Sequence, residues 1–180
     1  MSEFSNPASS SKSAGAAYTH ALLERLGQRD PLPVWRELAD AVDSLTRDVS
    51  ATDARRPEAP GKWSMVQVVA HLVDSEIVYA YRVRLIVAED RPEILGYDQD
   101  AFATQLGYLD EPLSDLRTEL RVLRRRNLRF VERLTAQQLT RVGMHNERGP
   151  ESVSHVINML AAHDLVHRAQ LERIRRTLGL

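Results

Sequence analysis

The feature that most constrains this chain is the spacing of its apolar residues, which recur every three or four positions almost throughout and hardly ever alternate. That spacing lays apolar side chains along one stripe of a helix, whereas a half-buried strand needs a period of two. Trp35, Leu38, Val42, Leu45 and Val49 form one stripe, introduced by the helix-starting prolines Pro31 and Pro33. A second helix, apolar on nearly every side, runs from a capping Ser64 to about Ala88 and is closed by Arg91-Pro92. Leu113, Leu116, Leu120, Leu123, Phe130 or Val131, and Leu134 trace a third in steps of three and four. Val153, Val156, Ile157, Leu160, Leu171, Ile174 and Leu178 mark a fourth, with Gly179 as its terminator.

These stripes predict an all-α fold, a four-helix bundle with one long crossover between the second and third main helices. Short accessory helices are expected at Tyr18–Leu26 and around Asp98–Leu106, where Asp98 is a natural cap. Residues 50–62 and 135–150 read as irregular, and a sheet of three or more strands would contradict the all-α reading. Residues 1–16, rich in Ser, Ala and Gly, read as a loosely ordered tail, which leaves residues 17–180 as one domain.

Composition removes several function classes. The chain has 180 residues, the size of one domain, and no cysteine, which excludes disulfides, thiolate metal ligands and a cysteine nucleophile. A reducing cytoplasm is the expected location. No apolar run approaches the roughly 20 residues that span a bilayer, and MSEFSNPASSSKSAGAA does not read as a signal peptide. With 24 basic and 25 acidic residues the net charge is −1, which argues against a nucleic-acid binder. The run Arg124-Arg125-Arg126, opposite the leucine seam, reads as a solvated face.

The sharpest local signal is His163-Asp164-Leu165-Val166-His167. Residues four apart on a helix share a face, with Cβ atoms roughly 5–6 Å apart, so two imidazoles there can converge on one ion. Both fall on the stripe of Leu160, Leu171 and Ile174 and should point inward. On the second helix the polar residues Gln67, His71, Asp74, Ser75 and Arg82 cluster within about 100° of arc. Periodicity leaves open whether that strip faces water or lines an internal cleft. The likeness of His163-Asp164-x-x-His167 to the zinc-peptidase H-E-x-x-H is poor, because Asp is one methylene shorter and only 13 residues follow His167.

GKWSMVQVVAHLVDSEIVYAYRVRLI, together with the distant GPESVSHVINMLAAHDLVHRAQLERI, resembles the DinB/YfiT-like family over about residues 30–178. The resemblance implies a four-helix bundle and a divalent metal on three histidines, with His71, His163 and His167 at the matching positions. Three neutral imidazoles leave a coordination position open, as catalytic rather than structural zinc sites do. Zn²⁺ and Ni²⁺ both suit such ligation. Asp74 and Asp164 are candidates to orient the ligand imidazoles from behind, and Arg82 to bind a substrate carboxylate.

The expected activity is thiol-dependent transfer to a small electrophile, with a low-molecular-weight thiol as co-substrate, or metal-dependent hydrolysis. A non-catalytic, stress-related binding bundle with structural histidines is the alternative. A homodimer acting on a small molecule, with neither nucleic acid nor membrane as partner, completes the expectation. If the three histidines do hold one ion, their nitrogens should lie within roughly 3–4 Å of one another.

Overall fold

The computed structural model describes residues 12–180. Four long helices dominate it: α2 (Pro31–Thr46), α4 (Met65–Ala88), α6 (Leu113–Val131) and α8 (Val153–Leu178). Shorter elements are α1 (Lys12–Leu26), α3 (Ala51–Ala54), α5 (Gln99–Gln105), a 3-10 turn at Tyr108–Asp110, and α7 (Ala136–Leu139). Of the tail expected at 1–16, residues 1–11 lie outside the described residues, and α1 already begins at Lys12.

Local chemistry sets the helix ends. Asp30 caps α2 by accepting from the Leu32 N–H, and α4 opens on a reciprocal capping box between Ser64 and Gln67. The Ser152 side chain accepts from the His155 N–H, and Gly179, at φ 70°, ends α8 in the left-handed conformation that glycine adopts freely. Asp98 accepts from two following N–H groups at the start of α5, so it is the cap expected of it.

The four long helices form a bundle in which α2 packs against α6 and α8, and α4 packs against the same two. α2 therefore sits diagonally across from α4, and the loop that joins them crosses the bundle. Helix α1 lies against α8. The apolar core falls into two clusters. One holds Leu22, Leu26, Trp35, Tyr79, Val83, Ile86 and the first half of α8; the other holds Leu38, Val42, Trp63, the start of α4, Leu116, Leu120, Leu171 and Ile174.

The expected absence of a sheet needs correction. Three short strands, β1 (Glu93–Ile94), β2 (Val142–His145) and β3 (Gly149–Ser152), form a sheet in that order, with β1 parallel and β3 antiparallel to β2. The strands are too brief for alternation to reveal them. The available signal is the Asn146-Glu147-Arg148 loop ending in Gly149 at φ 83°, the three-residue hairpin connection with a left-handed glycine. At Gly143 a Cβ would sit 2.8 Å from Ile86 Cγ1 and 2.9 Å from Ile94 Cγ1, so β2 lies this close to α4 only because the residue is glycine. Arg141 donates to the carbonyls of Ile86 and Glu89, which satisfies the C-terminal end of α4 and ties the sheet to it. The sheet is an accessory at one end; the bundle remains the fold.

Arg124 is the second correction. Instead of joining a solvated face it is 2% exposed, among the most buried side chains of α6. The inward register of that helix is Leu116, Leu120, Arg124, Asn127, Val131, so Arg124 takes the seam position that the leucine count assigned to Leu123, and Asn127 fills the gap before Val131.

Candidate metal centre

Where α4 and α8 face each other, the two apolar clusters give way to a buried polar belt. His71, the seventh residue of α4, meets His163 and His167 of α8, and all three are at most 4% exposed. The polar strip on α4 therefore lines an internal cleft: His71, Ser75 and Arg82 are buried, while the apolar Ile77 and Tyr81 face water.

His71 Nε2 lies 2.9 Å from His163 Nε2, and one ligand atom from each of the three histidines falls within 4.8 Å of the others. The closest pair is at the short end of the expected 3–4 Å, and the set as a whole spans a little more. Burial pulls His71 and His163 well below the usual imidazole range and His167 down to about 4. At neutral pH all three are thus uncharged, the state in which an imidazole offers a lone pair. Gln170 Oε1 lies 2.8 Å from His167 Nδ1; as its acceptor it fixes the proton there and leaves Nε2 bare. The Nδ1 atoms of His71 and His163 have no hydrogen-bond partner. A bond between the two Nε2 atoms would need one to be protonated and would leave that ring's Nδ1 an orphaned acceptor. A cation would instead take up the lone pairs of all three rings at once, which a hydrogen bond between two of them cannot, with the Nδ1–H groups of His71 and His163 left without acceptors. Among the described residues no carboxylate joins the three imidazoles.

Trp63 packs on His71 with ring centroids 5.0 Å apart and covers one face of the cluster. Tyr79 lies beside His163 at 6.2 Å, and burial holds its phenol above the ordinary tyrosine range, so it stays protonated.

The candidates for orienting the ligands hydrogen-bond elsewhere. Asp164 receives a two-pronged ion pair from Arg124 and makes no bond to a ligand imidazole. Asp74 accepts from the Tyr108 hydroxyl. Arg82 donates to the Leu95 carbonyl at 2.6 Å, eleven residues and roughly 16 Å along α4 from His71. The orienting position belongs to Gln170 instead, three residues after His167 and legible as an inward polar residue on the same stripe.

Sequence reasoning also missed the belt that supports the centre. Arg124 bridges Asp164 and Glu76, 2.8 Å from Glu76 Oε1, and donates to the Trp35 carbonyl. Asn127 donates to Glu76 Oε2 at 2.8 Å and accepts from Arg84. Two carboxylates share one buried guanidinium. Burial pushes Asp164 up to about 6, with Arg124 opposing and Glu76 adding to the rise. Of the remaining histidines, His20 is exposed beside Glu24, His155 lies 3.8 Å from Glu151, and His145 is buried in β2. None of them joins the three-histidine cluster.

Comparison with known proteins adds an independent line. Residues 34–171 match the family model of the DinB superfamily. A protein of Bacillus cereus (strain 03BB102) named "Putative metal-dependent hydrolase" is 27% identical over 147 residues, 80% of this chain and 84% of that one. A protein of Bacillus anthracis (strain A0248) with the same name is 26% identical over the same coverage. The solved structure of YfiT from Bacillus subtilis, described as "a probable metal-dependent hydrolase with an unusual four-helix bundle topology", superposes with a TM-score of 0.78 at 23% identity. It covers 83% of this chain and 86% of its own.

Proposed function

Because the chain belongs to the DinB superfamily, we propose that it is a metal-dependent hydrolase of small molecules, with a divalent ion, Zn²⁺ or Ni²⁺, held by His71, His163 and His167. The observation that carries this reading is the convergence of three buried, neutral imidazoles with no carboxylate among them. Such a donor set leaves the ion's charge uncompensated and its coordination incomplete, as catalytic sites require and structural ones do not. When bound, the ion supplies Lewis acidity, which polarises a scissile carbonyl and eases the deprotonation of water.

The chain's own residues do the rest. Gln170 keeps the His167 proton on Nδ1, so Nε2 never needs to shed one before ligation. Tyr79, protonated and against His163, offers a hydrogen-bond donor to oxygen charge that develops during the reaction. The clusters above and below the belt exclude bulk water and strengthen each electrostatic contact between them.

Hydrolysis is favoured over thiol transfer because the relatives are named hydrolases and no residue at the centre selects a thiol. The test is turnover of a panel of small esters and amides by Zn²⁺- or Ni²⁺-loaded protein, with and without cellular thiols. Hydrolysis should need the metal, ignore the thiol and disappear in His163→Ala. Strict dependence on thiol would replace the hydrolase with a transferase. No turnover with either metal would favour a non-catalytic bundle.

A further inference from the structure

Outside the metal centre, one buried cation among the described residues has no ion-pair partner, Glu151 acting on it only from beyond contact distance. Arg82 is 4% exposed, yet among the described residues no carboxylate lies within ion-pair distance of it. Of its five N–H donors, one is bonded to the Leu95 carbonyl. The other cation of the neighbourhood, Arg148, is taken up by Glu151 through two bonds, at 2.5 and 3.0 Å. Arg82 is instead held between aromatic rings, its guanidinium carbon 5.5 Å from the Tyr79 centroid and 5.9 Å from that of Tyr97. Burying a cation without an anion is costly, and a fold retains it where something else supplies the charge.

The space beside it is suited to a ligand. Arg82 lines a cavity of about 370 Å³ between α4 and β1, walled by Ile77, Tyr81, Leu85, Ile94, Leu95 and Tyr97. Ligand sites commonly fall between about 300 and 1,000 Å³ and combine apolar walls with few polar anchors. Ile77, Tyr81 and Leu95 are each more than half exposed, an apolar patch with no cover. Glu93 is the acidic residue of the lining; it is exposed and makes no ion pair with Arg82.

We propose that this groove binds a small carboxylate with an apolar body, the carboxylate on Arg82 and the body along Ile77, Tyr81 and Leu95. The pairing follows from a buried cation without an ion-pair partner in a groove whose walls are apolar apart from the exposed Glu93. Tyr79 lies between Arg82 and His163, so the groove borders the metal centre, but binding there does not depend on what that centre catalyses.

Titration calorimetry of the whole protein with octanoate, octanol and octylammonium tests it. Octanoate should bind saturably, one per chain, and octanol at least about tenfold more weakly, since a hydrogen bond to a charged group contributes that much. Arg82→Gln should weaken octanoate by a similar factor. Leu95→Glu changes an exposed position and is safe for folding; it should abolish octanoate binding. Equal affinity for octanol and octanoate, or undiminished octanoate binding in Leu95→Glu, would overturn the proposal. So would a lack of octanoate binding in a protein whose dimerisation Tyr81→Glu abolishes, because the patch would then belong to a second copy.

Discussion

Replacing Arg124 with methionine should be the most damaging single change away from the histidines. Arg124 is 2% exposed and is the cation shared by Glu76 and Asp164, at 0% and 1%. Methionine fills the volume of the stem but leaves two buried carboxylates facing each other. Removing one partner of a buried ion pair costs about 3–5 kcal/mol, a fifth or more of a typical domain's stability of about 5–15 kcal/mol. For a chain of this length that is a fall in Tm of roughly 6–20 °C.

The sign of the pH dependence follows from the same contacts. Burial already holds Asp164 up to about 6, and losing Arg124, which opposes that rise, pushes it further up. A carboxyl group whose folded pKa is raised favours the folded state below its unfolded pKa and loses that advantage as pH rises through the folded value. The deficit of Arg124→Met should therefore be largest near pH 8 and shrink towards pH 5. Urea denaturation of metal-free protein at both pH values measures it. Adding Glu76→Gln and Asp164→Asn to Arg124→Met should recover at least half of the loss. A loss below about 1 kcal/mol, or one that grows as pH falls, would refute the reasoning.

Three further outcomes are expected. In metal-free protein the buried histidines resist protons that unfolded ones take up near pH 6.5, so the unfolded state binds more protons between about pH 4 and 6.5 and stability falls with pH there. His167 alone contributes about 3 kcal/mol by pH 4, Asp164 offsets part of this, and a urea midpoint that does not drop from pH 7 to 5 would contradict the burial of the three rings. Gln170→Ala removes the group that fixes the His167 proton and should weaken metal affinity about 10–100-fold in a competitive chelator titration, with the fold intact by circular dichroism. Gly143→Ala places a methyl group against Ile86 and Ile94 and should cost about 1–3 kcal/mol in chemical denaturation.

Much of the fold was legible because its long helices carry their own signals. Pro31, Ser64 and Gly179 mark ends that the structure keeps, and the stripes on α2 and α8 are their buried faces. The sheet was not legible because strands of two to four residues, one containing Pro150, show neither alternation nor β-propensity. They exist because α4 and the loop after α6 bring Pro92–Ile94 and residues 142–152 together, a tertiary fact. Arg124 and Asn127 were hidden by composition: amid the five other arginines of α6, a buried one looks like its neighbours. Only their seam spacing, four residues from Leu120 and then three, distinguishes them. The histidine cluster was approachable from sequence because a spacing of four fixes His163 and His167 on one face. His71 came from resemblance alone, since no local pattern says which helix it will meet. Gln170, too, gains meaning only once the His167 ring is in place.

Metal content is the most direct test of the centre. Protein loaded with Zn²⁺ and freed of excess should carry one ion per chain, and X-ray absorption should show imidazole nitrogens at about 2.0–2.1 Å with room for a non-protein ligand. His71→Ala and His163→Ala, folded by circular dichroism, should each lose the ion. Equal and negligible metal in the wild-type protein and both variants, after loading with Zn²⁺ or Ni²⁺, would mean that the three imidazoles are a structural cluster and no metal centre.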